Sequence, residues 1–327
     1  MLISVLGGGW YGCHIALDLA LSGHSVRLLE IAPDLFSGAS GSIPARVHDG
    51  YHYPRSAITR EACQRHRVAF LARYGHLTRS VARNIYAVAE TDSLVDFGTY
   101  RQVLAASVSG WVEVNPADVA LHNVEGAVLT QERHIVPRLA RQYFREALTA
   151  AGVSLYFNGE LPDEPADNEI DCTFCSQSSV GVARYEPCVT GLLQGDSTDV
   201  AVTIMDGPFP SLYPWDEEFG LSSITSAKWT PLGRFDTYEE ASQRLRSVND
   251  ERDLVHKMCQ QLRHWYPRID AYKFAGARLS IRAIQASAAD SRTMAVRVDG
   301  KTLRVRAGKI DAVIEAGDKV RGLLCSM

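Results

Sequence analysis

The chain has 327 residues, a length that suits about two domains. Hydrophobic residues make up 46% and charged residues 22%, the balance of a globular protein with a sizeable core, which excludes a disordered or fibrous chain. Lys and Arg number 34 against 38 Asp and Glu, a formal net charge of -4, so no global positive field draws in a polyanion and only a local basic groove could meet nucleic acid.

The first 30 residues read as one contiguous unit. Leu2 to Leu6 is an apolar strand, and Gly7-Gly8-Gly9-Trp10-Tyr11-Gly12 is a turn. A helix follows with Ile15, Ala16, Leu19 and Ala20 on one face and Gly23 as its stop, and Ser25 to Glu30 is a strand ending in an acid. Gly7, Gly9 and Gly12 fit the G-x-G-x-x-G pattern, in which the glycines permit a tight turn, close approach of a pyrophosphate and packing of helix on strand. The helix start at Trp10 and Tyr11 offers unsatisfied N–H groups and the positive end of its dipole to phosphates. Glu30, 18 residues after Gly12, can accept both hydroxyls of an adenosine ribose and disfavours a 2′-phosphorylated cofactor. Strand, turn, helix, strand and acid together predict a Rossmann-type dinucleotide site, with NAD and FAD both open.

From Phe36 to Tyr53 the chain is rich in Gly, Ser, His and Pro, a loop, and a helix is predicted from about Ser56 to Tyr74. A second helix covers Val136 to Ala151 with Gly152 as its stop, and Val153 to Phe157 reads as a strand. An acidic, proline-containing loop over Asp163 to Glu169 leads into a strand expected from Ile170 to Ser176. Strand-like runs at Val200 to Met205 and Leu221 to Trp229 predict a second, antiparallel region. Tyr238 to Tyr266 reads as a long helix or a helical pair closed by Pro267. Thr293 to Val298 and Thr302 to Arg306 flank the hairpin signal Asp299-Gly300, and an amphipathic segment opens at Gly308-Lys309.

No window approaches 18 uninterrupted apolar residues and the start lacks a basic, cleavable leader, so neither membrane nor export is expected. The odd count of seven cysteines suits a reducing compartment, and the expected location is cytoplasmic. Cys172-x-x-Cys175 has no second pair and no histidine at ligand spacing, which favours buried strand cysteines over a metal site. His122, His134, His256 and His264 stand isolated. No nucleophile elbow or Walker-type loop supports a hydrolase or kinase.

Three stretches carry a family likeness: the amino-terminal half-unit, Gly38-Ala39-Ser40-Gly41-Ser42 shortly after Glu30, and Gly308-Lys309-Ile310-Asp311 near the end. They resemble the FAD-dependent D-amino-acid oxidase and glycine oxidase superfamily. The chain is short for that family and has Gly308-Lys309 where a Gly-His-Gly-like turn is commoner. The resemblance implies FAD as cofactor, with Ser40, Gly41 and Ser42 at the pyrophosphate or flavin, and Gly308, Lys309 and Ile310 near the isoalloxazine. It would bring Leu155 to Phe157 toward the adenine and Cys172 to Ser176 toward the phosphates. The expected fold class is α/β: a Rossmann-type FAD-binding domain with a parallel sheet over residues 1–85, 120–180 and 270–327, and a mixed, largely antiparallel substrate domain over 86–119 and 181–269.

Two groups are catalytic candidates. His48-Asp49-Gly50-Tyr51-His52-Tyr53-Pro54-Arg55-Ser56 gathers two histidines, two tyrosines and an arginine, with Arg60 a turn later. Arg55 could clamp a carboxylate bidentately while Tyr51, His52 or Tyr53 orients an amine or hydroxyl, or the stretch could be a loop whose aromatics cover the core and whose arginine caps a salt bridge. Alternation over Arg278-Leu279-Ser280-Ile281-Arg282 puts Arg278, Ser280 and Arg282 on one strand face, followed by Ala289-Asp290-Ser291-Arg292; these would bind an anion or form an exposed face. Lys309 would order a water near the flavin or mark a helix start. The expected reaction is oxidation of a C–N bond in an amino acid or N-substituted glycine, with hydride transfer to the flavin and imine hydrolysis. Alternatives are the same chemistry on a glycine-modified nucleobase in tRNA or phage DNA, an oxidase of sugar or polysaccharide metabolism, and a flavin-binding protein without catalysis. Oligomeric state is not legible.

Overall fold

The structure is a computed structural model that describes residues 1–174, 176, 182–195, 198–285 and 294–326. Cys175 and the segment Ala289-Asp290-Ser291-Arg292 lie outside the described residues.

A six-stranded sheet runs in the order Ala295–Asp299, Thr302–Arg306, Asn168–Asp171, Leu2–Leu6, Ser25–Leu29, Ser154–Tyr156. All neighbours pair parallel except the first two, which form the hairpin expected at Asp299-Gly300. Leu2–Leu6 lies centrally, and its middle residues Ile3, Ser4 and Val5 are buried on both faces, as a parallel strand between helical layers requires. Helix Trp10–Leu21 packs on this sheet beside helices Pro137–Ala150 and Val313–Leu324, and their shared core includes Ile15, Leu19, Phe144 and Val320. Gly12 permits the approach of helix to strand, because a Cβ there would stand 1.8 Å from the Gly7 carbonyl oxygen. Sequence periodicity found these elements to within about two residues, except that the strand expected to reach Ser176 ends at Asp171 and the segment expected to open at Gly308-Lys309 becomes an α-helix only at Val313.

An eight-stranded sheet has the order Lys273–Gln285, Val182–Gln194, Leu221–Ser226, Pro210–Asp216, Val200–Met205, Arg83–Ala89, Val124–Thr130, Trp111–Val114. It is antiparallel apart from the Val200–Met205 and Arg83–Ala89 pair. The ranges read from sequence put all or part of Arg83–Ala89, Val124–Thr130 and Lys273–Gln285 in the nucleotide unit, whereas the three strands pair here. Two helices, Tyr238–Arg246 and Glu251–Arg263, form the helical pair on this sheet. The first starts at a capping box in which Thr237 and Glu240 bond reciprocally. Helix Phe97–Ser107, which sequence periodicity did not reveal, begins at Asp96, whose carboxylate accepts the Thr99 N–H at 2.8 Å.

A small third sheet positions the site. Arg46–Val47 and Thr78–Ser80 both pair antiparallel with Arg133–Ile135, which clips the polar loop after Ser42 against residues 132–135. The long helix Ala57–Tyr74 then leaves that loop, capped by the Ser56 hydroxyl, which accepts the Thr59 N–H. Among the described residues no helix is long and apolar enough to cross a membrane.

Candidate active site

A cavity of about 600 Å³ opens between the two large sheets. One set of its walls is the glycine turn and what surrounds it. Glu30 stays beside the turn because its Oε2 accepts the Gly8 N–H at 2.6 Å and its Oε1 the Ala32 N–H at 2.9 Å. The Ser40 hydroxyl accepts the Trp10 N–H at 3.0 Å, capping a helix whose own N-cap, Gly9, has no side chain to do so. Gly9, Ser40 and Glu30 all line the cavity, and a Cβ on Gly9 would come within 2.8 Å of the Ser40 oxygen. The Trp10 indole packs into the core against Phe36, Phe70 and Phe144, with ring centroids 5.2 to 5.5 Å away, so its backbone carries what it offers the cavity.

The far end of the chain closes on this turn. Tyr11 donates its hydroxyl hydrogen to the Lys309 carbonyl at 2.5 Å and accepts the Gly308 N–H at 3.3 Å. Gly308, Lys309 and Ile310 thereby join Gly7 and Gly9 in one cavity wall, as the family resemblance implies. Gly41 and Ser42 do not line it. Gly41 is packed so tightly that a Cβ would sit 1.9 Å from the Phe36 carbonyl oxygen, and Ser42 is buried, while the cavity is met by the residues just after them, Ile43 to Arg46.

The second set of walls is polar and charged. Arg46 lies over the Tyr213 ring with its guanidinium carbon 4.0 Å from the centroid, and its Nη1 donates to Thr203 Oγ1 at 3.0 Å. Burial lowers its pKa, but Tyr86, Tyr213 and Glu132 outweigh that and raise it, so Arg46 is always charged. His48 lines the cavity, and its Nδ1 lies 3.3 Å from Glu132 Oε1. Burial pushes its pKa down to about 4 with help from Lys309 and Arg46, against the pull of Glu132, so the imidazole is neutral at pH 7. Glu132 is wholly buried, yet His48, Tyr86 and Arg46 outweigh the burial and hold its carboxyl down at about 2. Lys309 Nζ stands 3.6 Å from the centre of the Tyr53 ring and 2.6 Å from Cys63 Sγ. Burial lowers its pKa, but Tyr53, Cys63 and Asp311 raise it further, and the amine stays protonated.

Not all the predicted catalytic residues meet there. Tyr53 and Lys309 line the cavity, while His52, Arg55 and Arg278 do not. The His52 ring stacks on His48 and meets Tyr53 edge-on, and its buried Nδ1 has no partner among the described residues. Arg55 is exposed and pairs with Asp206, the salt-bridge outcome for that loop. Arg278 is exposed, Arg282 pairs with buried Glu186, and the cavity residue of this strand is Ile281, on the opposite face. Arg55→Ala is therefore expected to leave flavin content and turnover unchanged and to cost less than about 1 kcal/mol of stability, as surface ion pairs do. A large fall in kcat/KM would return Arg55 to the site.

Sequence reading missed Arg46, Glu132, Tyr86, Thr203 and Tyr213. The only available signal was the charge of Arg46 beside the strand-forming Val47; Glu132 lies among polar residues, Gln131, Arg133 and His134, with no local mark. Asp311 is a further buried carboxylate, with both oxygens unpartnered among the described residues, and burial pushes it up to about 7 despite Lys309. Its ionised form is disfavoured by folding, so the destabilisation is absent below about pH 4 and complete above about pH 7. Asp311→Asn is expected to raise stability by on the order of 2 kcal/mol at pH 8.5 and by little at pH 3.5. Melting curves that shift equally at both pH values would contradict this.

Known proteins resemble this chain in sequence and fold. A family model for FAD dependent oxidoreductases (DAO) matches residues 3–169. The FAD-dependent monooxygenase FPY4 of Fusarium mangiferae is 32% identical over 335 residues, covering 98% of this chain and 90% of its own. The FAD-dependent monooxygenase kojA of Aspergillus flavus is 27% identical over 98% of this chain and 85% of its own. Glycine oxidase from Geobacillus kaustophilus shares the fold, with a TM-score of 0.74 at 14% identity over 98% of this chain and 93% of that one. The chain belongs to the DAO family of FAD-dependent oxidoreductases. It is a flavoenzyme, and the site fits the cofactor: the close-packed glycine cradle, the helix N-terminus and Glu30 line a single cavity that extends to the charged group around Lys309.

Proposed function

We propose that the enzyme oxidises the C–N bond of a small amino acid or N-substituted glycine, held by its carboxylate at Arg46 and Lys309. FAD, when bound, supplies the two-electron acceptor for the substrate's α-C–H bond. Glu30 would hold the adenosine ribose, Gly9 and the helix start the pyrophosphate, and Gly308 to Ile310 the ring system. Arg46 offers a planar fork of donors suited to a carboxylate, already immobilised by Thr203 and Tyr213, so little freedom is lost on binding. Tyr53 and neutral His48 border the same space and can orient the amine. The imine product would hydrolyse to an oxo acid, glyoxylate for a glycine derivative, and an amine.

The observation that carries this reading is the charge of the inner group: two cations, Arg46 and Lys309, against one permanently ionised carboxylate, Glu132. Asp311, pushed up to about 7, is only partly ionised beside Lys309 at pH 7, so the group keeps a net positive charge for a substrate carboxylate. The test is anaerobic mixing with a panel of amino acids, N-substituted glycines, glycine-modified nucleosides and the matching carboxamides. Bleaching of the flavin band by carboxylates and not by their amides is expected. Equal bleaching by both, or by neither, would end the reading.

A second reading is monooxygenation, favoured by the names of the two curated relatives. It differs in what oxygen does. A monooxygenase would place an atom of labelled dioxygen in its product and consume an external reductant, whereas the proposed oxidation takes its product oxygen from water.

A further inference from the structure

The side chain that organises the charged wall does not itself line the cavity. Glu132 lies just past strand Val124–Thr130, wholly buried, and both its oxygens are engaged. Oε1 accepts the Asp49 N–H at 2.9 Å and faces His48 Nδ1 at 3.3 Å, while Oε2 accepts the Tyr86 hydroxyl at 2.5 Å. It thus joins the loop carrying Arg46 and His48 to strand Arg83–Ala89 of the eight-stranded sheet. That much is architecture, and the chemistry follows from what a carboxylate can do. An ionised carboxylate only accepts hydrogen bonds, so the nitrogen facing it must carry the hydrogen. A neutral imidazole has a single N–H, and its other nitrogen is then a lone pair. No described residue hydrogen-bonds His48 Nε2, and the ring borders the cavity.

We propose that Glu132 is a positioning residue: it fixes His48 as the Nδ1–H tautomer, so that Nε2 presents an acceptor to the N–H of the substrate. The inference rests on the reading above for the identity of that substrate group, though not for the tautomer itself. The surroundings favour the same state. Lys309 and Arg46 oppose a positive charge on the His48 ring, and His52 stacks on it with centroids 5.8 Å apart. An acceptor at Nε2 directs a substrate amine toward His48, while the carboxylate is drawn to the two cations. Amine and carboxylate are thus recognised by separate groups, which fixes the α-carbon between them.

The test reads the tautomer directly. In the flavin-loaded protein with 15N-labelled histidine, long-range 15N–1H correlation at pH 7 distinguishes Nδ1–H from Nε2–H, and the His48 signals are assigned by their loss in His48→Gln. Wild-type protein is expected to show Nδ1–H. Glu132→Gln, which keeps the shape but loses the charge, is expected to show Nε2–H or a mixture, with flavin still bound. Its kcat/KM is expected to fall about 10–100-fold, the usual effect of removing the partner that orients a ligating histidine. Glu132→Asp should restore part of both. His48→Gln with Glu132→Gln should be no worse than His48→Gln alone, because the carboxylate acts through the imidazole. An Nε2–H tautomer in the wild type overturns the proposal, as does an unchanged tautomer in a folded Glu132→Gln. If Glu132→Gln fails to fold, the wild-type spectrum and the Glu132→Asp variant still decide. If Nδ1–H is found but no carboxylated amine reduces the flavin, the substrate reading fails and the positioning role stands.

Discussion

Gly9→Val is expected to give a folded, colourless protein. The backbone at Gly9 has φ -84° and ψ -173°, extended geometry that valine adopts freely, so the chain need not distort to accept it. The space is what fails. The first added carbon would lie 2.8 Å from the Ser40 oxygen that caps the helix, and the branched methyls would occupy the cavity where the backbone must approach a pyrophosphate. Overpacking of about 3 kcal/mol corresponds to roughly 100-fold weaker cofactor binding. The check is flavin content per chain after purification and after adding FAD, with circular dichroism to confirm folding. Full flavin content in the variant would show that the dinucleotide does not lie across Gly9. Gly12→Ala is not an equivalent experiment, since a Cβ there meets the Gly7 backbone at 1.8 Å and disturbs the fold itself.

Arg46→Met is expected to spare flavin binding and lower kcat/KM by about 100- to 1000-fold, mostly through KM. Removing one member of a buried, hydrogen-bonded charge pair costs roughly 2–5 kcal/mol, because the substrate carboxylate would enter an apolar wall with one cation instead of two. Methionine keeps most of the volume over the Tyr213 ring, which isolates the charge from the packing. Arg46→Lys should fall between the two, as it keeps the charge and loses the planar fork. Steady-state kinetics with the best carboxylate substrate checks this. A variant whose kcat falls while KM stays unchanged would place Arg46 outside carboxylate binding.

The cofactor end of the site was legible because its parts are contiguous. Strand, glycine turn, helix and Glu30 span a single half-unit, and each carries a local signature: apolar run, glycine spacing, amphipathic face, acid. The late turn at Gly308 to Ile310 has no comparable pattern of its own and entered through family resemblance. The charged end was legible only as a region. Its loop was recognised by density of polar aromatics, but orientation within a loop is set by what it is clipped to. The short pairing of Arg46–Val47 with Arg133–Ile135 puts Arg46 and His48 at the cavity, whereas Arg55, which looked the better clamp, ends on the surface beside Asp206. Strand parity did place Arg278, Ser280 and Arg282 together, but parity cannot say which face meets a cavity, and Ile281 does. Glu132 acts on His48 from 84 residues away and follows a strand with no polar motif, so nothing local marked it.

The claim on which the rest depends is that one cavity holds FAD with its ring between the loop of Arg46, His48 and Tyr53 and the turn at Gly308 to Ile310. Crystallographic placement of the isoalloxazine in the flavin-loaded protein, with a small carboxylate inhibitor bound, tests it most directly. The ring is expected against Gly308 to Ile310, with the inhibitor's carboxylate on Arg46 and Lys309. A ring turned out toward solvent, or a carboxylate held elsewhere, would contradict it.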